Sequence, residues 1–564
     1  MEVILLPEKE NLFNTLLNSV QSLKSPYTQA ITLTHISGQF LKMNDARSEE
    51  FFNQALSIAE QMPNDLEQLG VMQNLIGTAV SAVRATNDIE KLETTINIAK
   101  SIYLPYNKFY NLVDILKVFF HLIGKDKTLK FINDDILPAI DEITSKSYRF
   151  EILSEIITVL SDMSAAFNDI ELIKQAQQNL DLIEVSSFYY IALISIAKAF
   201  LSYAEANQDQ NWISNALESL MKLPEMSSLT TALIDVSITL LRMENEKQAE
   251  EIIEKAINYT EQIEESSRQS VALSYIAKAF IKLNEPNKAK QQLLRAVEAA
   301  HTLTDQELLN LAWQSIIEAL NELSSSDKLS LIQEIVEAIE NLSNITLRAF
   351  AFNHIITTLN NEGKIAQSFF QEILQKAVAT VKSIRNKLVR ETAAITLAEI
   401  LIEKSSSITD VFLVNSIYEL AKEIKDPKSS IYLLTEIAQI EHSLERKKEA
   451  KDLLDGTRPF LNLISNVFEK VYVLLYVAKG YSELGLQNEF NDLIAELTEL
   501  VNEIKALKEL AFALTNIAKL LAQSNEKNRA QQFLYQALEV SNELPNELEK
   551  SGVLTSITEV VFSL

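Results

Sequence analysis

Few side chains in this 564-residue chain are placed to do chemistry. The five histidines are scattered and form no HExxH-like pair of the kind that holds catalytic zinc. The adjacent carboxylates of Asp134 and Asp135 are expected at a helix start, where acidic side chains would interact favourably with the helix dipole. Cysteine is absent, which excludes disulfides, thiolate metal sites and a cysteine nucleophile. The sequence therefore predicts no catalytic, cofactor or metal site and a protein that is not an enzyme.

Lysines recur at a spacing of about 40 residues or its multiples. We call these five residues the lysine column: Lys117, Lys198, Lys278, Lys479 and Lys519. Ammonium groups in a row would hold an acidic peptide or a C-terminal carboxylate by charge-assisted hydrogen bonds. Glu318, Glu399 and Glu559 occupy the same place in other copies of the spacing, as expected for a solvated helix face of mixed charge. Both interpretations stay open at this point.

The elements that position these lysines repeat along the chain. Steps of 39 to 42 residues from Ile276, in either direction, reach an aliphatic residue every time. We call these residues the anchors: Ile36, Ile76, Ile115, Ile156, Ile196, Val236, Ile276, Ile316, Ile355, Leu397, Ile437, Val477, Ile517 and Ile557. The residue three positions before the anchor is large and apolar except at Gln73 and Ala394. Such a recurring pair predicts a helix that packs in the same way in every copy.

A second apolar helix is predicted about twenty residues after each anchor. Small residues recur on it, including Ala256, Ala296 and Ala537, and would let it approach the first helix closely. Most prolines fall in turns, as expected from their poor fit inside helices. Pro138 and Pro459 fall within second helices instead, so we expect kinks or late helix starts there.

The predicted fold is all-α, an α-solenoid superhelix of about thirteen antiparallel helix pairs. The chain holds only 9 glycines and 10 prolines and shows no linker, which favours a single continuous array over residues 1–564. Residues 25–546 would hold the complete pairs, 1–24 an N-terminal half repeat and 547–564 a C-terminal half repeat. The last helix has no polar helix after it. We therefore expect it either to form a homodimer or to rest on the preceding second helix.

One copy carries small and large residues in a familiar order: Leu273, Ala277, Phe280, Ala289, Leu293 and Ala296. In this order and spacing the chain resembles a tetratricopeptide-like helical repeat protein. The period of about 40 residues is longer than the roughly 34 of that family. The family's usual glycine, and its proline after the second helix, are mostly absent. A HEAT-like arrangement stays open as the alternative.

The resemblance implies a protein–protein interaction scaffold without chemistry of its own. In tetratricopeptide-like arrays the first helices line a concave groove, and the lysine column resembles a position that faces the ligand there. Neighbouring groove candidates are the cationic residues Lys42, Arg242 and Lys282 and the aromatic residues Tyr275, Tyr432, Tyr472 and Tyr476. The alternatives are a helical-repeat enzyme with a site in the concavity and, more weakly, an RNA-binding helical repeat protein.

The net charge and the composition of the N-terminus restrict which partners and which cellular location are expected. The net charge of −26 argues against nucleic acid and against an anionic membrane surface, because both need clustered cations. The partner is expected to be a protein or peptide, and the lysine column favours an acidic one. The first ten residues, MEVILLPEKE, do not resemble a secretory signal, since acidic residues and a proline accompany the apolar run. A cytoplasmic location is therefore expected.

Overall fold

The computed structural model describes residues 7–63, 66–303, 305–342, 344–360, 367–405 and 411–564. Within these ranges the regular secondary structure is helical, and no strand occurs. The α-helices are α1 Pro7–Gln21, α2 Pro26–Lys42, α3 Arg47–Glu60, α4 Leu66–Thr86, α5 Ile89–Ser101, α6 Pro105–Ile123, α7 Lys125–Lys130, α8 Lys146–Phe167, α9 Ile170–Leu180, α10 Ser187–Asn207, α11 Asn211–Leu220, α12 Met226–Arg242, α13 Glu246–Thr260, α14 Ser266–Lys282, α15 Pro286–His301, α16 Gln306–Asn321, α17 Ser325–Glu340, α18 Ile345–Asn360, α19 Gln367–Ser383, α20 Lys387–Ser405, α21 Val411–Ala421, α22 Pro427–Ser443, α23 Lys447–Asp455, α24 Arg458–Leu461, α25 Val467–Glu483, α26 Gln487–Val501, α27 Leu507–Gln523, α28 Lys527–Asn542 and α29 Glu547–Ser563.

These helices form pairs in chain order, which confirms the all-α solenoid. In the described residues, thirteen pairs run from α2–α3 to α27–α28, with α1 before them and α29 after them. In each pair the first helix carries an anchor. Every anchor is at most 5% exposed, so the repeated aliphatic position forms the core of each pair. The second-helix alanines predicted to allow close approach, including Ala256, Ala296 and Ala537, are fully buried.

In ten of the thirteen pairs, the described turn between the two helices contains one residue with positive φ. Asparagine supplies it at Asn44, Asn87, Asn168, Asn284 and Asn525, because its short polar side chain tolerates the left-handed region. Gly124 and Gly485 supply it in two other pairs. Gln208, Glu244 and Glu445 adopt the same conformation with φ of 52° to 62°, at a cost of roughly 1 kcal/mol or more each.

The two prolines inside second helices interrupt them, as predicted. Near Pro138 the α-helix α7 ends at Lys130 and continues as a π-helix, Phe131–Ile136, and a 3₁₀-helix, Leu137–Glu142. Near Pro459 the second helix divides into α23 and the single turn α24. The missing N–H and the fixed φ of proline explain both interruptions.

The chain divides into two compact units. Unit 1 comprises Met1–Tyr103 and Leu397–Leu564, and unit 2 comprises Leu104–Thr396. A single continuous array over residues 1–564 stays a prediction. One helix of the described residues, α10 in unit 2, is long and apolar enough in composition to span a membrane. It packs against α8, α9, α11 and α12 and buries eight residues, so it behaves as a core helix of unit 2.

Within unit 1 the two half repeats complete each other. Helix α29 packs against α27 and α28, as an array member should, and also against α1 and α2. Phe562 contributes an aromatic ring to a cluster with Phe13 and Phe40, at centroid distances of 5.9 Å and 4.7 Å. Helix α29 thus acts as the first helix, and α1 as the second helix, of one further pair built from both ends of the chain.

Polar contacts fix the register of this chain-end pair. The hydroxyl oxygens of Thr32 and Ser551 lie 2.8 Å apart. Lys550 Nζ donates to Ser22 Oγ over 3.1 Å, and the Lys24 N–H donates to Glu547 over 2.9 Å. The alternative that α29 rests on the preceding second helix is correct, since α29 packs on α28. The apolar face of α29 that suggested a homodimer is covered by α1 and α2, and the homodimer stays a prediction.

Candidate functional site

The predicted site lies on one side of the first helices, which we call the first-helix face. It comprises the positions five before, one before and two after each anchor. These positions are four, three and seven residues apart, spacings that place side chains on one side of a helix. Because the pairs follow one another, this side of each first helix adjoins the same side of its neighbours within a unit.

The lysine column lies on this face, but most of its ammonium groups are already paired. In unit 2, Lys117 Nζ lies 2.8 Å from Glu155, and Lys278 Nζ lies 3.0 Å from Glu318. Lys198 lies 4.0 Å from Asp235. Each carboxylate belongs to the next first helix, so the lysines connect neighbouring pairs. The hydrogen bond to Glu155 raises the pKa of Lys117, which keeps this lysine charged and in place.

In unit 1 the lysine column has two members with different surroundings. Lys479 lies 3.5 Å from Glu483 on its own helix, and Glu483 also accepts a hydrogen bond from Gln439 of the preceding first helix. Lys519 is exposed and forms no ion pair in the part of the chain that the structure describes. The lysine column therefore lies on the first-helix face in both units, but most of its ammonium groups are paired and do not form a row of free cations.

Two other predicted groove residues also connect neighbouring pairs. Arg242 lies 3.2 Å from Glu205, and Lys282 lies 3.6 Å from Glu322. Tyr275 lies under the ammonium group of Lys278, which is 5.0 Å from the ring centroid. The two ion pairs join helices of successive pairs, whereas the contact between Tyr275 and Lys278 lies within α14.

Tyr476 joins an aromatic cluster on α22 and α25 of unit 1. Its hydroxyl donates to Glu436, and its ring centroid lies 5.1 Å from that of Tyr432. Burial and the bond to Glu436 raise the pKa of Tyr476, so its hydroxyl stays protonated and continues to donate. Tyr472 packs edge-on against Phe468 at 4.9 Å, and its hydroxyl accepts from Asn516 of α27 over 2.9 Å.

Unit 2 carries a second tyrosine cluster on α6 and α8. The rings of Tyr106 and Tyr148 stack at 4.3 Å, and Tyr110 lies 5.9 Å from Tyr106. The Tyr106 hydroxyl donates to Glu151 over 3.1 Å, and burial together with this carboxylate raises the pKa of Tyr106 to about 12. Tyr110 and Tyr148 keep more than two fifths of their surface exposed, so this cluster is accessible.

Sequence reasoning named Tyr432 and Tyr472 as groove candidates but missed the column to which they belong, five residues before the anchors. Ten of its fourteen members are aliphatic or aromatic: Ile31, Val71, Tyr110, Ile191, Val271, Leu311, Phe350, Tyr432, Tyr472 and Phe512. We call these ten residues the apolar column. Five of them, Tyr110, Ile191, Leu311, Tyr432 and Tyr472, are between 37% and 50% exposed. A third periodic apolar position is visible in the sequence. Without knowledge of burial, it cannot be distinguished from the periodic apolar positions of the core.

The five exposed members of the apolar column are informative because a solvent-facing helix position has no structural need for apolar residues, whereas Val71 of the same column is fully buried. Single exposed apolar side chains are ordinary, whereas a recurring set on one face marks an interaction surface. Aromatic residues also contribute most to binding at protein interfaces. The first-helix face thus combines exposed apolar side chains with a border of paired charges, the arrangement typical of a protein-binding surface.

Comparison with known proteins adds likenesses of fold. No protein-family model matches the chain, and the curated proteins give no match. Among solved structures, Ton1535 from Thermococcus onnurineus NA1 is 16% identical, with 68% of this chain and 98% of that chain covered and a TM-score of 0.23. A Rap protein complexed with Competence and Sporulation Factor is 14% identical, with 66% and 99% covered and a TM-score of 0.19. Naa15/Naa10 bound to HypK-THB is 12% identical, with 97% and 96% covered and a TM-score of 0.25. At these values the likenesses support no inference about function, and they leave the repeat length untested.

Proposed function

We propose that this protein is a non-catalytic scaffold that binds a protein or peptide partner along its first-helix face. The observation that carries the proposal is the apolar column, which recurs on first helices of both units and stays accessible at five positions. Two of these, Tyr432 and Tyr472, lie on successive first helices of unit 1. Hydrophobic area removed from water at such a surface contributes roughly 25 cal/mol per Å² before the costs of association are subtracted. A partner that contacts several members at once would gain most from this surface.

The lysine column contributes less to this proposal than the sequence suggests. Four of its five ammonium groups lie within 4.0 Å of a carboxylate of the same chain. An acidic partner would have to compete with these internal carboxylates, except at Lys519. The proposal therefore gives the main part of recognition to apolar contacts and a smaller part to acidic groups on the partner.

The proposal includes no catalytic step and places the protein in the cytoplasm. Both points come from the sequence, through the scattered histidines, the missing cysteines and the terminal composition. Fractionation of the source cells tests the location. A broad activity screen of the purified chain tests whether it catalyses a reaction.

The binding proposal is tested by removing the apolar column without disturbing the core. One variant carries Tyr432→Ser and Tyr472→Ser in unit 1, and another carries Tyr110→Ser and Ile191→Ser in unit 2. The control carries Leu463→Ser and Val185→Ser, which change apolar residues that are 67% and 72% exposed and lie in turns outside the first helices. Partners captured by the tagged wild-type chain are identified by crosslinking and mass spectrometry.

We expect at least one column variant to bind the identified partner at least tenfold more weakly than the control does. Thermal unfolding of all variants should stay within about 3 °C of the wild type, because exposed side chains contribute little to stability. Equal binding by the control and both column variants would contradict the proposal. A triple variant with Lys198→Glu, Lys278→Glu and Lys519→Glu separates the charge contribution, although it also breaks two internal ion pairs.

A further inference from the structure

A cleft separates the first two helix pairs, α2–α3 and α4–α5, within unit 1. It consists of two adjoining cavities of about 540 and 420 Å³. They meet at Leu41 and Thr78, which line both. Cavities of this size accept several residues of an extended peptide or a small organic molecule.

Two glycines widen this cleft without a packing reason. Gly38 and Gly77 lie inside α2 and α4 and line the larger cavity. A Cβ atom built on either glycine meets no heavy atom within 4 Å. Each glycine costs the helix roughly 0.5–1 kcal/mol relative to alanine. Neither neighbouring atoms nor backbone conformation accounts for these glycines, whereas the close approach of a ligand backbone would.

The cleft has charges of opposite sign in its two cavities. Lys42 lines the larger cavity and forms no ion pair among the described residues. Glu49 and Glu90 line the smaller cavity, and no cation pairs with either of them there. The remaining charged groups of that cavity are satisfied, because Asp45 binds Arg47 at 2.8 Å and Asp88 lies 4.0 Å from Lys91.

Uncharged polar groups line the larger cavity together with Lys42. The Gln73 amide and the Thr78 hydroxyl line the larger cavity and make no side-chain hydrogen bond in the part of the chain that the structure describes. Asn74 donates to the Gly70 carbonyl over 2.8 Å, which leaves its amide oxygen able to accept. These groups can pair with the N–H and C=O groups of an extended peptide backbone.

We propose that this cleft binds a short extended peptide with a free carboxylate at Lys42 and a basic side chain at Glu49 and Glu90. This inference rests on the proposed function and names one site and ligand class for it. Nucleic acid and anionic lipid fit poorly, because each would bring phosphate charge to two unpaired carboxylates and only one unpaired lysine. A peptide with one charge of each sign matches both regions.

The test uses the full-length chain and an immobilised random hexapeptide library with free carboxyl ends. We expect the retained peptides to be enriched in lysine or arginine. Conversion of the best peptide to its C-terminal amide should weaken binding at least tenfold in fluorescence anisotropy. Equal binding of the acid and the amide, or an absence of basic residues from the retained peptides, would overturn the inference.

Cleft variants locate the binding. Gly38→Leu with Gly77→Leu should abolish peptide binding while the unfolding temperature stays equal or rises, because leucine favours helix over glycine. Gly552→Leu is the matched control, since this glycine also lies in a helix with nothing near its Cβ position and does not line the cleft. Lys42→Glu should weaken binding of the acid but not of the amide. Unchanged peptide binding in these cleft variants would reject the site.

Failure of this inference is distinguishable from failure of the proposed function. If the cleft variants still capture the crosslinked protein partner and the apolar-column variants do not, the cleft is rejected and the scaffold function stands. If neither set of variants changes capture, the proposed function fails as well.

Discussion

The helix pair in the middle of the chain and the helix pair at its ends are built from the same pattern but are connected differently. Helices α14 and α15 follow each other and are joined by a turn in which Asn284 has a φ of 59°. Helices α29 and α1 come from opposite ends of the sequence and share no turn. Both pairs bury their anchors completely, at Ile276 and at Ile557.

The comparison shows that the packing surfaces, and not the connecting turn, determine how a pair forms. At the chain ends, side-chain contacts replace the turn through the aromatic cluster of Phe13, Phe40 and Phe562 and the Thr32–Ser551 hydrogen bond. The polar contacts that join the first-helix faces of neighbouring pairs also continue between α29 and α2. His35 lies 3.9 Å from Glu559, in the same relative positions as Glu155 and Lys117 of successive pairs.

Deletion of residues 547–564 should disrupt the chain-end pair and lower the free energy of unfolding more than any of the substitutions below. It removes Val553, Leu554, Ile557, Val560 and Val561, all at most 3% exposed. At roughly 1.5 kcal/mol for each buried side chain, the free energy of unfolding should fall by about 7 kcal/mol in chemical denaturation. Leu548→Ser, at an exposed position of the same helix, should change it by less than about 0.5 kcal/mol. A deletion that leaves stability unchanged would show that the ends do not pack.

A matched pair of substitutions compares the two regions directly. Leu273 in α14 and Leu554 in α29 both lie three residues before an anchor and are at most 1% exposed. Leu273→Ala and Leu554→Ala should each lower the free energy of unfolding by about 3 kcal/mol, from lost burial and the cavity left behind. A loss below about 1 kcal/mol for Leu554→Ala alone would mean that the chain-end pair is loosely packed.

Acid should weaken the interior of unit 2 through two histidines. Burial lowers the pKa of His301 and of His354 to about 4, while the unfolded value is 6.5. Because their folded pKa values are depressed, the folded state binds fewer protons than the unfolded chain. Stability is fully present above pH 6.5 and is lost as the pH falls from about 6.5 towards 4.

We expect the free energy of unfolding to fall by about 1–2 kcal/mol by pH 5 for the two histidines together. This figure is reduced to allow for solvent screening of their partly exposed side chains. His301→Gln with His354→Gln should flatten this part of the pH–stability curve measured by denaturant titration. His35, at the chain-end pair, also has a lowered pKa through burial, but Glu559 opposes the shift. His35→Gln should therefore flatten the curve less than the double variant does, and an equal or larger effect would contradict this difference between the regions.

The smallest expected effect on stability comes from substitutions in the turns that connect the two helices of a pair, a connection that the chain-end pair lacks. Glu244 holds a positive φ of 58° in the turn between α12 and α13. Glu244→Gly should stabilise the chain by up to about 1 kcal/mol, because glycine adopts this region without strain. Asn284→Gly should change stability by only a few tenths of a kcal/mol, since asparagine already tolerates the conformation. Destabilisation by Glu244→Gly would show that its side chain contributes more than its backbone costs.

The sequence predicted most of the fold because the determining signal is local and periodic. Anchor spacing located both helices of each pair, and Pro138 and Pro459 located the two interrupted second helices. The pairing of α29 with α1 could not be predicted this way. A half repeat at each end shows which faces are unfilled, but periodicity carries no information on which molecule or segment fills them.

The candidate site was predicted less well than the fold. Lys117 and Lys278 lie on the first-helix face, but their partners Glu155 and Glu318, which lie 38 and 40 residues away, were not predicted. Pairing at that separation depends on the packing of neighbouring helices, which spacing alone does not give. Ile191 and Leu311 were missed because an apolar residue at helical spacing is usually part of the core.

The pairing of the two chain ends is tested most directly by a disulfide between them. The chain has no cysteine, so Thr32→Cys with Ser551→Cys introduces the only two thiols. The hydroxyl oxygens of these residues lie 2.8 Å apart, and a disulfide joins Cβ atoms about 4 Å apart. Under mild oxidation we predict a monomer with an internal crosslink, visible as a reducible mobility shift on a denaturing gel. Free thiols, or a disulfide-linked dimer, would contradict the chain-end pair.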